Sequence, residues 1–275
     1  MNILTKLAME NKENYNKYLE IMTTSAAQST KGQIPFHIKG DKILDVGCGS
    51  GVLLEKLREL YPNKEIIGLD LNEKAAEVCE KKGFRVITKE LKDVDETFDT
   101  IIFSSVLHEI SSYAIYDAFT YIPIENTLTY ARHKLNKGGR IIIRDGVKAE
   151  NCLTNITFKT PQVVKDYRQY LKDIGVRDNS YSVITTITDN QRLLKEFCYT
   201  YTWGKDSYAR EVKENFGILT KKKWFKIVEY TGLKVTLLET HQEEYLKYLE
   251  KFCVVDDNLK ALFNDAVIFI IAEKV

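Results

Sequence analysis

Apolar positions fall along this chain in two alternating forms. Short apolar runs at Ile43–Val46, Ile66–Leu71, Phe84–Lys89, Thr100–Ser104, Ile141–Ile143, Leu233–Glu239 and Ala266–Ala272 predict strands, several of them covered on both faces. Between them, apolar residues recur three and four positions apart. Leu53, Leu54, Leu57 and Leu60 predict a helix from Val52 to Tyr61 that Pro62 stops. Further helices are expected over Glu73–Lys82, which Gly83 would cap, over Ala114–Leu135 with an interruption at Pro123, and over Lys222–Gly232. Strand–helix alternation of this kind builds an α/β fold around a largely parallel sheet.

The first strand runs into Asp45-Val46-Gly47-Cys48-Gly49-Ser50-Gly51. A strand, a glycine turn and a helix start make a nucleotide-type site at the carboxyl end of a sheet, with Ser50 placed to cap the helix. The glycines let a ligand approach the backbone closely. Dinucleotide sites space their glycines G-x-G-x-x-G, whereas Val52 stands where the third would fall. Asp45 would repel a phosphate and suits a ligand that carries an ammonium group and none. About twenty residues on, the second strand ends in Asp70, an acid placed to accept from ribose hydroxyls.

Acid followed by G-x-G-x-G resembles the first motif of the class I S-adenosylmethionine (SAM)-dependent methyltransferases. That resemblance implies a Rossmann-like, doubly wound, seven-stranded sheet with an antiparallel last strand. It implies SAM held by Asp45, Gly47, Cys48, Gly49 and Gly51, with Asp70 on the ribose and Leu71 by the adenine. Glu90 and Leu91 fall where the family places a group near the adenine amino nitrogen, with glutamate in place of the usual aspartate. Ser104-Ser105-Val106-Leu107-His108-Glu109 looks like the family's fourth motif, with Ser104 at the cofactor edge. Leu135 to Asp145, through Gly138-Gly139, matches its fifth strand.

The chain has 275 residues and a net charge of +1, which gives no global pull toward nucleic acid or a membrane surface. Five cysteines, with no C-x-x-C spacing, suit reduced thiols in a cytoplasmic protein. Met1 to Glu20 is too polar for a signal peptide, and no run reaches membrane-spanning length. The expected organisation is an N-terminal helical cap (1–40, with a helix over Leu4–Ala27 and Tyr15 and Tyr18 near a pocket), a core block (41–146), a mainly helical insertion (147–220), and completion of the core (221–275).

The insertion is expected to carry helices near Pro161–Ile174 and Asn190–Thr200, and to close over the acceptor. Residues 147 to 232 hold 15 Lys and Arg against 10 Asp and Glu. Around Trp203 the chain combines aromatics, a Gly turn and a helix start capped by Asp206 or Ser207. Trp203, Tyr208 and Arg210 are the candidate acceptor-binding residues, able to stack a planar group and hold an anion, or else to pack the insertion onto the core.

Methyl transfer needs positioning, exclusion of water and, for a hydroxyl acceptor, removal of a proton. His108, at the sheet's carboxyl edge, is the candidate general base, with Glu109 and Asp145 behind it. The sequence displays no metal-ligand set, so no metal is expected. The leading expectation is a small-molecule acceptor methylated on oxygen or nitrogen; the alternatives are RNA or a nucleotide, and a non-catalytic subunit of the same fold. Phe103-Ser104-Ser105-Val106 lacks the N-P-P-Y tetrad of base-amine methyltransferases, which disfavours DNA adenine.

Overall fold

The computed structural model describes residues 30–114 and 121–275. The helix expected over Leu4–Ala27, with Tyr15 and Tyr18, lies outside the described residues. Strands β1 (Lys42–Val46), β2 (Glu65–Leu69), β3 (Arg85–Ile87), β4 (Phe98–Ser104) and β5 (Leu135–Gly146) run parallel. With β9 (Lys234–His241) and β10 (Val267–Glu273) they form one sheet in the order β3-β2-β1-β4-β5-β10-β9. The last strand, β10, is antiparallel to both β5 and β9. Val267 to Ala272 are buried on both faces, which explains the unbroken apolar run.

Order reverses between β1 and β4, so a crevice opens beyond their carboxyl ends, where open α/β sheets bind ligands. Helix α1 (Val52–Leu60) buries Leu53, Leu54 and Leu57 against the sheet. Helix α2 (Glu73–Lys81) starts at Asn72, whose side chain accepts from the Lys74 amide. After α3 (Leu107–Ser112), helix α4 (Ile122–Lys134) carries Pro123 in its first turn rather than across its middle. Proline lacks an amide proton that the first turn does not use, so it starts this helix instead of interrupting it.

Between β5 and β9 the segment contains α5 (Pro161–Asp173), α6 (Gln191–Tyr201), the single turn α7 (Tyr208–Glu211) and α8 (Lys221–Tyr230). A three-stranded antiparallel sheet, β6-β8-β7 (Leu153–Thr157, Thr186–Asn190, Tyr181–Val183), accompanies the expected helices. Its strands are short and polar, and so carried little apolar signal. A second core, with Tyr167, Phe197 and Tyr199 at its centre, continues into Leu249, Leu259 and Phe263. Those last residues belong to the connection between β9 and β10, where α9 (Glu243–Leu249) and α10 (Asp257–Leu262) lie. Among the described residues no helix is long and apolar enough to cross a membrane.

Candidate functional site

The glycine turn folds back onto β2. The Gly47 and Cys48 amides donate to the Leu69 carbonyl at 2.7 and 3.2 Å. Gly47 has φ +72°, and a Cβ there would stand 2.5 Å from Val106 Cγ2, so no other residue fits without displacing the β4 end. Gly51, with φ +78°, is the N-cap of α1 in place of the expected Ser50, and as glycine it brings no side-chain cap bond. A Cβ at Gly51 would lie 2.8 Å from Cys79 Sγ, so Gly51 serves close packing against α2.

Asp70 closes the turn from the next strand. Its Oδ2 accepts from the Gly49 amide and its Oδ1 from the Asn72 amide, both at 2.9 Å. Each oxygen keeps capacity for another donor, which is what a ribose diol would supply. Burial pushes its carboxyl above the ordinary value, with the two amides and Arg210 pulling the other way. Asp45 is 3% exposed, and burial pushes it up to about 7, with Lys31 opposing and Asp70 adding to the rise. An incoming cation would relieve that cost.

At the β4 end, Ser104 Oγ is buried and has no hydrogen-bond partner among the described residues. The following residue, Ser105, holds φ +58°, a conformation costing about 1–2 kcal/mol outside glycine. Its amide donates to the Arg144 carbonyl at 2.7 Å, and its hydroxyl accepts from the Arg144 guanidinium. Strained backbone of this kind collects at functional sites. Sequence reading passed over Ser105, because nothing in its identity signals a positive φ.

Across the same edge stands a buried ionic cluster. His108 Nδ1 lies 2.7 Å from Asp145 Oδ1, and Nε2 faces Glu214 Oε2 at 3.5 Å. Asp145 Oδ2 also accepts the Leu107 and His108 amides. Phe216 stacks on the imidazole with centroids 4.8 Å apart. Burial opposes charge on the ring, but Asp145 and Glu214 hold its pKa well above the ordinary value. As arranged, the imidazole is an anchored cation between two carboxylates, which sets it apart from a freely titrating base.

Arg210 brings the insertion into this cluster. Its Nε donates to Glu214 Oε1 at 3.2 Å and its Nη2 to Glu109 Oε2 at 3.1 Å. Tyr113 donates its hydroxyl to Glu214 Oε1 at 2.9 Å. Burial pushes Glu109 up to about 7 against the pull of Arg210, and carries Glu211 well above the carboxylate range. Burial also works on Glu214, but His108 and Arg210 outweigh it and lower its pKa. Nothing in the sequence singles out Glu211 or Glu214.

Other expected site residues sit differently. Cys48 turns its side chain into a small core with Leu54, Cys79 and Phe84, leaving only backbone for a ligand. Leu71 is half-buried beside Asp70, while Leu91 is buried in the main core and Glu90 pairs with Lys92 at 2.8 Å. Trp203 packs on the second core, and so does Tyr208, whose hydroxyl donates to Asp173 at 2.7 Å. Of the three residues chosen from the insertion, Arg210 alone joins the His108 cluster. Ser207 is the N-cap of α7 but makes no side-chain cap bond.

A family model described as "Methyltransferase domain" matches residues 37–232. The chain is 28% identical over 146 residues to the ribosomal RNA small subunit methyltransferase C of Haemophilus influenzae, covering 50% of this chain and 38% of that protein. It is 24% identical over 162 residues to an rRNA N(6)-adenosine-methyltransferase of Caenorhabditis elegans, covering 50% and 74%. Among solved structures it is similar to a mycolic acid cyclopropane synthase complexed with SAH, the demethylated product of SAM, and CTAB (TM-score 0.54, 15% identity, 90% and 84% covered). It is also similar to a SAM-dependent methyltransferase of Methanosarcina mazei (TM-score 0.50, 13% identity, 88% and 97% covered). At these identities the structural likeness speaks for the fold.

Proposed function

The chain belongs to the methyltransferase domain family; from that premise we propose that it is a SAM-dependent methyltransferase and that it methylates an oxygen or nitrogen atom of a small molecule lacking phosphate. Asp45, Gly47, Gly49, Asp70 and Ser104 hold the cofactor on this reading. The fit is supported by the spare acceptor capacity of Asp70, the buried unpartnered Ser104 hydroxyl and the cost of leaving Asp45 charged without a cation. Bound there, SAM supplies an electrophilic methyl group on its sulfonium.

The observation that carries the acceptor class is the sign of charge around the site. Asp45, Asp70, Glu109, Asp145, Glu211 and Glu214 stand with His108 and Arg210, and all but Asp70 and Glu109 are buried. Burial and mutual repulsion already push Asp45, Asp70, Glu109 and Glu211 toward their neutral forms despite Lys31 and Arg210, so added negative charge is opposed and a neutral or cationic acceptor is favoured. Within the cluster, Asp145 fixes the His108 ring and Arg210 fixes Glu109 and Glu214. Glu109, which burial pushes up to about 7, then takes up the proton that a hydroxyl or amine gives up. Burial keeps water away from the transfer.

A different feature favours a second reading, RNA. A cleft of about 700 Å³ opens between the segment just after β5, the starts of α6 and α8 and the end of α10, lined by Lys148, Lys195, Lys221 and Lys222 together with Glu150 and Asp265. None of its lining residues belongs to the glycine turn or the His108 cluster. Both relatives named above carry rRNA methyltransferase descriptions, and the chain spans only part of each. Methyl-labelled SAM, incubated with the protein and either a small-metabolite extract or total RNA, separates the readings. Label in the metabolite fraction is expected; label confined to RNA, with binding that falls steeply with salt, would replace the first reading with the second.

A further inference from the structure

We propose that His108, Glu109 and Glu214 form a binding site for one divalent transition-metal ion. The inference goes beyond methyl transfer and does not depend on which acceptor is used. One ligand atom from each of these residues lies within 4.8 Å of the other two, the one such group among the described residues. The sequence hides the set, since Glu214 follows His108 and Glu109 by more than a hundred positions.

The His108–Glu214 spacing suits an ion held between them. His108 Nε2 and Glu214 Oε2 stand 3.5 Å apart, whereas a charge-assisted N–H···O bond closes to about 2.7–2.9 Å. Two ligands about 2.1 Å from one tetrahedral ion stand roughly 3.4 Å apart. Neighbouring atoms are already committed in the sense an ion requires. Asp145 Oδ1 holds the Nδ1 side of the ring, and an ion binding at Nε2 displaces the proton there. Glu214 Oε1 accepts from Tyr113 and Arg210, leaving Oε2 to face the ring.

Glu211 supplies an independent observation. Its Oε1 is buried and has no hydrogen-bond partner, and its side chain is 1% exposed. Arg210 Nε is 3.9 Å from that oxygen, too far for a hydrogen bond, and is already engaged by Glu214. A buried carboxylate oxygen left this way is costly, and a divalent charge in the same cluster offsets it. Imidazole with carboxylates suits Mn²⁺ or Zn²⁺ better than Mg²⁺ or Ca²⁺. Ligands on one tetrahedral ion stand about 3.4 Å apart, so the widest pair of the set closes by up to about 1.4 Å on loading.

The test uses the full chain, freed of metal with a chelator and titrated with Mn²⁺ while the free-ion electron paramagnetic resonance signal is followed; SAM is titrated calorimetrically on the same preparation. One Mn²⁺ per chain is expected, displaced by Zn²⁺ more readily than by Mg²⁺. Glu214→Gln, and Glu109→Gln at its less buried position, should each weaken Mn²⁺ by about 100-fold or more, and Asp145→Asn by about 10- to 100-fold. Unaltered free signal with the wild type, or equal uptake by wild type and both Gln variants, would overturn the site. SAM binding without Mn²⁺ binding would sink this inference and leave the methyltransferase reading standing.

Discussion

Asp145 grips His108 from two directions. Oδ1 lies 2.7 Å from the ring Nδ1, while Oδ2 accepts the amide of His108 itself at 3.2 Å and that of Leu107 at 3.0 Å. One carboxylate at the end of β5 thus sets both the ring and the backbone that begins α3. Asp145→Asn keeps the shape but turns an amide NH₂ toward donors. Loss of one partner from a buried charged pair costs about 3–5 kcal/mol, and that is the expected fall in unfolding free energy by denaturant titration. A change under about 1 kcal/mol would mean that the pair does not organise the site.

Asp45 gives the fold a pH dependence of definite sign. Its carboxyl is raised by burial from 3.8 to about 7, so the folded chain binds the proton more tightly than the unfolded one. Its stabilising contribution is full below about pH 4 and is lost as pH rises through 7. Asp45→Asn has no such proton to lose. The wild type should therefore lose stability relative to this variant between pH 4 and 8, on the order of 4 kcal/mol by linkage. Parallel pH–stability curves would show that Asp45 is not held in this state.

Trp203 and Arg210 should separate cleanly. Trp203 packs on the second core, so Trp203→Ala should lower the melting temperature and leave SAM affinity unchanged. Arg210 bridges Glu109 and Glu214 through two different nitrogens, a geometry that lysine cannot copy. Arg210→Lys should keep the fold and cut turnover by about 10²-fold through misplacement of the cluster. The reverse pattern, turnover lost with Trp203→Ala and kept with Arg210→Lys, would return the acceptor pocket to the Trp203 face.

What the sequence made legible was local. Asp45, the three glycines and Asp70 occupy one strand–turn–helix–strand unit, so spacing alone places them together. The seven strands followed from apolar runs, and the antiparallel setting of the last one from the family resemblance. Contacts made by the insertion were not legible. Arg210, Glu211 and Glu214 reach His108 only through the packing of a second core, and nothing in their spacing names that partner. Strands β6 to β8 escaped for a related reason. Thr154, Asn155, Thr186 and Thr188 give them a polar surface, and the buried residues Ile156 and Ile187 are too few to show a period.

The cofactor assignment stands or falls on the Gly49–Asp70 contact. Asp70→Ala removes a charged acceptor that holds the turn through the Gly49 amide and faces the ribose position on our reading. Calorimetric titration of SAM into wild type and Asp70→Ala, with NADH as the competing dinucleotide, tests it directly. The account predicts one SAM per wild-type chain and an affinity loss of about 1.5–3 kcal/mol in the folded variant, roughly 10- to 150-fold. Equal SAM affinity in the two proteins, or NADH bound more tightly than SAM by the wild type, would contradict it.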